Sequence, residues 1–124
     1  MTLGLGTDIV DVARIRASLD KYGAKFTDKF LLPAEVAYCR AHRDPAPQIA
    51  ARFAAKEAIA KAFGTGFGAE LGWLDLEIAK RDNGEPFVIL HDKAKELLRE
   101  RGAKALLVTL SHTENYATAT AILQ

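Results

Sequence analysis

The sequence predicts an α+β domain in which helices dominate the first half and strands the second. Three observations predict it. Residues 47–63 are an unbroken run of good helix formers that meets Gly64 where a helix takes its C-terminal glycine. After Gly66 the apolar period changes from helical to alternating. Asp82-Asn83-Gly84 then supplies a hairpin turn between two alternating stretches. At 124 residues, with no repeat or low-complexity segment, the chain fits one domain spanning residues 1–124 around one modest core.

Taken in order, Leu3 to Val10 reads as a strand in which Gly4 and Gly6 allow close backbone approach. Asp8 falls among its apolar residues, and a buried acid needs a partner. Asp11 is placed to cap a helix whose inner stripe is Val12, Ile15 and Leu19, ending near Gly23. Arg14 and Arg16 fall off that stripe, toward solvent or a partner. Phe26, Phe30 and Leu31 mark a short second helical segment, and Pro33 with Glu35 starts a third that runs to about His42. Asp44-Pro45-Ala46-Pro47 connects into the central helix and is too short for a domain linker.

The central helix carries Phe53, Glu57 and Lys61 in a narrow stripe and Ile49, Ile59 and Phe63 beside it. Its other face, Ala51, Ala54, Ala55, Ala58 and Ala62, is alanine rather than a solvated mixture of charges. A helix small or apolar nearly all round is buried. Arg52, Lys56, Glu57 and Lys61 therefore need partners: each other, a metal or an anionic ligand. As a bare helical pair, Glu57 and Lys61 are worth only about 0.2–0.5 kcal/mol.

Beyond Gly66, Leu74, Leu76 and Ile78 alternate with Trp73, Asp75 and Glu77 as a half-buried strand, which returns after the turn through Phe87 to Leu90. His91 to Arg101 is an amphipathic helix packing through Ala94, Leu97 and Leu98 and stopped by Gly102. Strands at residues 105–110 and 116–123 flank Ser111-His112-Thr113-Glu114-Asn115 and complete the α+β order.

Composition narrows the function. The net charge is +1, and no apolar run approaches a membrane span. No secretory leader opens the chain, so a soluble cytoplasmic protein is expected. The single Cys39 forms no internal disulfide, and His42, His91 and His112 lack the paired spacing of a zinc site. A metal, if held, takes carboxylates, which points to magnesium with water and phosphate completing its shell. Basic side chains concentrate in residues 14–29 and 40–61, as two anionic contacts would require. Aromatics do not interleave with them, which argues against nucleic acid.

Polar groups stand where the pattern predicts burial at Asp8, at Glu57 and Lys61, and at Ser111-His112. If these converge, two carboxylates can hold a hard cation, Lys61 can neutralise phosphate, and His112 can donate to phosphate or relay a proton. That combination favours phosphate chemistry.

Gly4-Leu5-Gly6-Thr7-Asp8-Ile9-Val10, Arg52-Phe53-Ala54-Ala55-Lys56-Glu57-Ala58, Lys61-Ala62-Phe63-Gly64-Thr65-Gly66, Asn83-Gly84-Glu85-Pro86 and Leu110-Ser111-His112 with Tyr116-Ala117 closely resemble the holo-[acyl-carrier-protein] synthases. These are the small class of 4′-phosphopantetheinyl transferases, and the resemblance covers essentially the whole chain. It implies an antiparallel sheet with a long central helix, three subunits packing their sheets together, and coenzyme A bound between them. It also implies magnesium-dependent transfer of the 4′-phosphopantetheine arm of coenzyme A to a serine of apo acyl carrier protein. Asp8 and Glu57 would hold the magnesium, and Lys61 the pyrophosphate. Arg52, with His112 and Arg43, would meet the nucleotide 3′-phosphate. Gly64 and Thr65 would border the coenzyme, and Gly84, Pro86, Ser111 and His112 would approach from a neighbouring subunit. Arg52 lies about 140° around the helix from Glu57, so one ligand reaches both only by wrapping the helix or meeting it at an interface.

Charge moving onto the leaving bisphosphate must be neutralised, and the serine must lose a proton. Glu57, directly or through a water, is the first candidate base and His112 the second. The acidic carrier would dock on the first helix through Arg14 foremost, with Lys21 and Lys25. Two alternatives stay open: a binding module without turnover, which would tolerate Asp8→Ala, and a magnesium-dependent phosphotransferase indifferent to carrier protein. Which carrier is served, fatty acid or polyketide, is not written in the chain.

Overall fold

The computed structural model describes residues 1–124. Its elements run β1 (Gly4–Asp11), α1 (Val12–Tyr22), α2 (Ala24–Thr27), α3 (Pro33–Arg40), α4 (Ala46–Phe63), a 3₁₀ turn (Trp73–Asp75), β2 (Leu76–Lys80), β3 (Pro86–Leu90), α5 (Asp92–Glu100), β4 (Leu106–His112) and β5 (Tyr116–Leu123). β5 lies between β1 and β4 in an antiparallel three-stranded sheet, and β2 pairs with β3 as a separate hairpin.

α4 packs across β1 and β5, and small residues on both sides permit it. Ala54, Ala55, Ala58 and Ala62 are buried on the helix, as are Ala117, Ala119 and Ala121 on β5. The approach is closest at β1: a Cβ on Gly6 would lie 1.9 Å from the Ala58 carbonyl oxygen, and one on Gly4 2.0 Å from that of Ala62. Any side chain there would force the strand off the helix, so these glycines set where Asp8 stands relative to α4. The alanine-rich helix is buried nearly all round, as its composition requires.

The ends of the helices follow their local chemistry. Asp11 caps α1, its carboxylate accepting from Ala13 N at 3.0 Å. Gly64 ends α4 in the left-handed region at φ 82°, its N–H donating to Ala60 O. At the hairpin turn, Gly84 takes φ 90° and Arg81 N bonds Glu85 O at 2.8 Å.

Two expectations need correction. The strand read from Trp73 begins at Leu76: Asp75 accepts from Gly72 N at 2.7 Å and closes a 3₁₀ turn, a local bond that overrides the alternating pattern. Phe30 and Leu31 lie beyond the end of α2, outside any helix, although both are buried. Asp8 sits within β1, which runs on to Asp11.

The outer face of the three-stranded sheet is open and mixes large apolar side chains with Thr7, Thr109, Thr118 and Thr120. Leu5 and Ile9 on β1, Leu107 on β4 and Tyr116 on β5 are 50–67% exposed.

Candidate active site

The register of β1 and the turn spacing of α4 bring Asp8, Glu57 and Lys61 to one cleft of about 350 Å³. α1 contributes Arg14 to its rim, while Ile15, Phe26 and Phe53 form an apolar floor. Lys61 Nζ donates to Asp8 Oδ1 at 3.1 Å and to Thr7 O at 2.9 Å. The Glu57 carboxyl is pushed above its ordinary value by burial and then by the negative charge of Asp8, with Lys61 opposing. Two carboxylates thus share a partly desolvated cleft with one ammonium. A divalent cation would relieve their repulsion.

His112 is not in that cleft. Its Nε2 lies 3.3 Å from the side-chain nitrogen of Gln48 in the first turn of α4, about 13 Å along the helix axis from Glu57. The expected convergence therefore divides within one chain. Asp8, Glu57 and Lys61 form one group, and His112 joins Arg52 through Gln48.

Arg52 is 1% exposed. Its Nη1 makes only long contacts to Gln48, 3.4 Å to the carbonyl and 3.5 Å to the side-chain oxygen, and its guanidinium lies 4.2 Å from the centre of the Tyr38 ring. Nε has no partner. A cavity of about 180 Å³ beside it is lined by Glu35, Tyr38, Glu77 and Lys80. A buried guanidinium with unused donors beside a cavity suits an anion. Neither Gln48 nor Tyr38 was signalled by the sequence, because each is unremarkable until folding sets it against Arg52.

Lys56 points elsewhere. It is fully buried and donates to Glu35 Oε1 at 2.8 Å, Phe30 O at 2.6 Å and Trp73 O at 3.2 Å. Burial pushes its pKa down, and Glu35 opposes the shift. The partner that the helix pattern demanded is thus Glu35, which the sequence offered only as a helix-start residue. That role also holds, since Glu35 accepts from Leu32 N at 2.8 Å.

The other residues named by the resemblance lie outside the Asp8 cleft. Gly64 and Thr65 follow Lys61 at the end of α4, and the Thr65 hydroxyl donates to Gly66 O. Gly84 and Pro86 belong to the β2–β3 hairpin, and Ser111 is exposed on β4. Arg43 is exposed in the turn before α4, next to Asp44, which pairs with Arg16 at 2.6 Å. Lys21 and Lys25 are exposed on α1 and α2. Cys39 is buried with its thiol pushed up to about 11 by desolvation, so it is no nucleophile at neutral pH. No three His, Cys, Asp or Glu side chains cluster as a metal-binding group.

Known proteins share the sequence and the fold of this chain. The model of the 4′-phosphopantetheinyl transferase superfamily matches residues 4–121. The chain is 43% identical over 122 residues to the holo-[acyl-carrier-protein] synthase of Protochlamydia amoebophila, covering 98% of each. It is 40% identical to that of Koribacter versatilis, covering 100% of this chain and 99% of the other. Among solved structures, the Neisseria meningitidis holo-[acyl-carrier-protein] synthase superposes with a TM-score of 0.92 at 31% identity, covering 100% and 99%. The Helicobacter pylori enzyme in complex with coenzyme A superposes at 0.86 with 34% identity, covering 97% and 99%. The chain belongs to the 4′-phosphopantetheinyl transferase superfamily and, within it, to the holo-[acyl-carrier-protein] synthase family.

Proposed function

We propose that this chain transfers the 4′-phosphopantetheine arm of coenzyme A to a serine hydroxyl of apo acyl carrier protein, in support of fatty acid biosynthesis in the cytoplasm. The observation that carries the reading is the shared cleft of Asp8, Glu57 and Lys61, with Arg14 at its rim. The names of its relatives and the coenzyme A complex of the Helicobacter pylori enzyme support it.

The donor set fits magnesium. Both acidic groups are hard oxygen donors, and two carboxylates leave room for the water and phosphate ligands that magnesium prefers. Asp8 and Glu57 would hold it, and when bound it neutralises pyrophosphate charge.

The side chains do the rest. Lys61 is half exposed and free to turn its ammonium from Asp8 to the pyrophosphate oxygens. Glu57, reaching the serine directly or through a water, takes its proton. The serine oxygen forms a bond to the phosphorus that carries the pantetheine. The bond from that phosphorus to the bridging oxygen breaks, and adenosine 3′,5′-bisphosphate leaves with the electron pair. Arg52, His112 and Arg43 hold the 3′-phosphate end, while Gly64, Thr65, Gly84, Pro86 and Ser111 border the coenzyme. Arg14, Lys21 and Lys25 receive the acidic carrier.

The assembly proposed is a homotrimer. The exposed Leu5, Ile9, Leu107 and Tyr116 give each subunit large apolar side chains to cover on a sheet face otherwise rich in threonine. A neighbour would also supply the Ser111-His112 and Gly84-Pro86 groups, which one chain holds apart from Glu57.

The test is the intact mass of an apo acyl carrier protein after incubation with the chain, coenzyme A and magnesium, beside a chelator control. A magnesium-dependent gain of one phosphopantetheine arm is expected. Glu57→Gln should lower the rate by about 10²–10⁴-fold, and Asp8→Ala should abolish transfer, both with little change in thermal melting. Full activity in either variant would overturn the site. No gain on any carrier, with coenzyme A still bound, would favour a binding module instead.

A further inference from the structure

Lys56 and Glu35 form the fully buried ion pair of this chain, and neither lines the Asp8 cleft. Their position beside Arg52 gives the pair a meaning. Arg52 and Lys56 are i and i+4 on α4, so two buried cations stand one above the other on one face. Glu35, on α3, bonds Lys56 and also lines the cavity beside Arg52. A buried carboxylate near both could pair with either, and a guanidinium is ordinarily the better, bidentate partner.

Here the carboxylate is fully committed away from Arg52. Glu35 Oε1 accepts from Lys56 Nζ and Leu32 N, both at 2.8 Å, and Oε2 accepts from Ile78 N at 2.9 Å. The other acid lining the cavity, Glu77, is engaged with His91 at 2.9 Å. Lys80 adds only positive charge, its Nζ 5.7 Å from the Tyr38 ring centre. Arg52 is left with long contacts to Gln48, the face of Tyr38 and an Nε that bonds nothing. A buried cation kept that poorly satisfied retains its capacity for an anion.

We infer that Lys56 is a positioning residue: by holding Glu35 it keeps that carboxylate off Arg52, so that Arg52 stays available to the 3′-phosphate of coenzyme A. The inference rests on the placement of the nucleotide proposed above. It assigns to the Glu35–Lys56 pair the preference for a 3′-phosphorylated donor, a role distinct from holding α3 against α4.

The experiment compares kcat/KM for coenzyme A and for 3′-dephospho-coenzyme A, with one carrier protein, across five proteins: wild type, Arg52→Ala, Lys56→Met, Glu35→Gln and the double variant Lys56→Met/Glu35→Gln. Wild type should prefer coenzyme A, and Arg52→Ala should lose that preference. Lys56→Met should lose about tenfold or more of it, the scale of one charge-assisted hydrogen bond, because Glu35 Oε1, left with only the Leu32 N–H, is free to accept from Arg52 as well. Glu35→Gln and the double variant, with no carboxylate to compete, should keep the preference. A purely structural Lys56 would lower both donors alike in proportion to the folded fraction, and removing Glu35 as well would restore nothing.

With Arg52→Ala having lost the preference, a Lys56→Met protein that keeps it, or a Glu35→Gln protein that loses it, overturns the inference alone. An Arg52→Ala protein that keeps the preference overturns the nucleotide placement and this inference together. Should Lys56→Met fail to fold, the same ratio is read from Glu35→Gln and the double variant, and loss of the preference in either overturns the inference.

Discussion

Gly6 shows how far a single residue reaches in this fold. A methyl group there would meet the Ala58 carbonyl oxygen at 1.9 Å, a backbone atom that cannot turn aside as a side chain could. Gly6→Ala is therefore expected to cost about 1–3 kcal/mol or more through overpacking, read as a lower midpoint in urea unfolding. Because β1 would lift from α4, Asp8 would also move relative to Glu57, so transfer activity should fall in protein that is still folded. An unchanged midpoint would show that the strand does not press on the helix. The same residue was legible beforehand, since glycine in a strand signals close backbone approach. Glu57 and Lys61 were legible as charges on a face that should be buried. Glu35 was not, because nothing local to a helix-start glutamate tells that its partner lies 21 residues away.

Elements are joined in this molecule by polar ties as well as apolar packing. Arg16 on α1 reaches Asp44, just before α4, at 2.6 Å, and its guanidinium holds the Asp44 carboxyl below its ordinary value. A depressed folded pKa means that the unfolded chain takes up the proton more readily. The contribution of this pair is thus present above the ordinary carboxylate pKa of about 4 and disappears as the pH falls through the lower folded value. Both groups are largely exposed, so the effect is small and screened by salt. Thermal melts between neutral pH and strong acid should show a shallower acid-side decline in Asp44→Asn than in wild type; parallel declines would show that the tie carries no stability. Element types followed from local pattern, since periods of 3.6 and 2 are properties of consecutive residues. The reading failed at Trp73–Asp75, where a side-chain bond back to Gly72 captured three residues of an alternating stretch.

At the scale of the whole molecule, the open face of the sheet is the feature that one chain leaves unresolved. Leu5 is 65% exposed beside Ile9 and in register, through Ile122, with Leu107. Leu5→Glu should convert the proposed trimer to monomers in sedimentation velocity and reduce transfer, because burying a carboxylate against apolar neighbours is unfavourable. A variant that sediments as wild type would remove this face from the interface. The sequence by itself determined the order and type of most elements, the glycines that admit close packing, and the charges on α4 that required partners. These are matters of local propensity, period and composition, and the motifs that carry them are contiguous. Only the tertiary structure decided which charges meet. It set Lys61 on Asp8, Lys56 on Glu35, and Arg52 beside Gln48 and a cavity, and it left His112 about half the length of α4 away from Glu57. Those pairings join residues distant in the chain, and in a desolvated interior the geometry of approach settles which partner a charge takes.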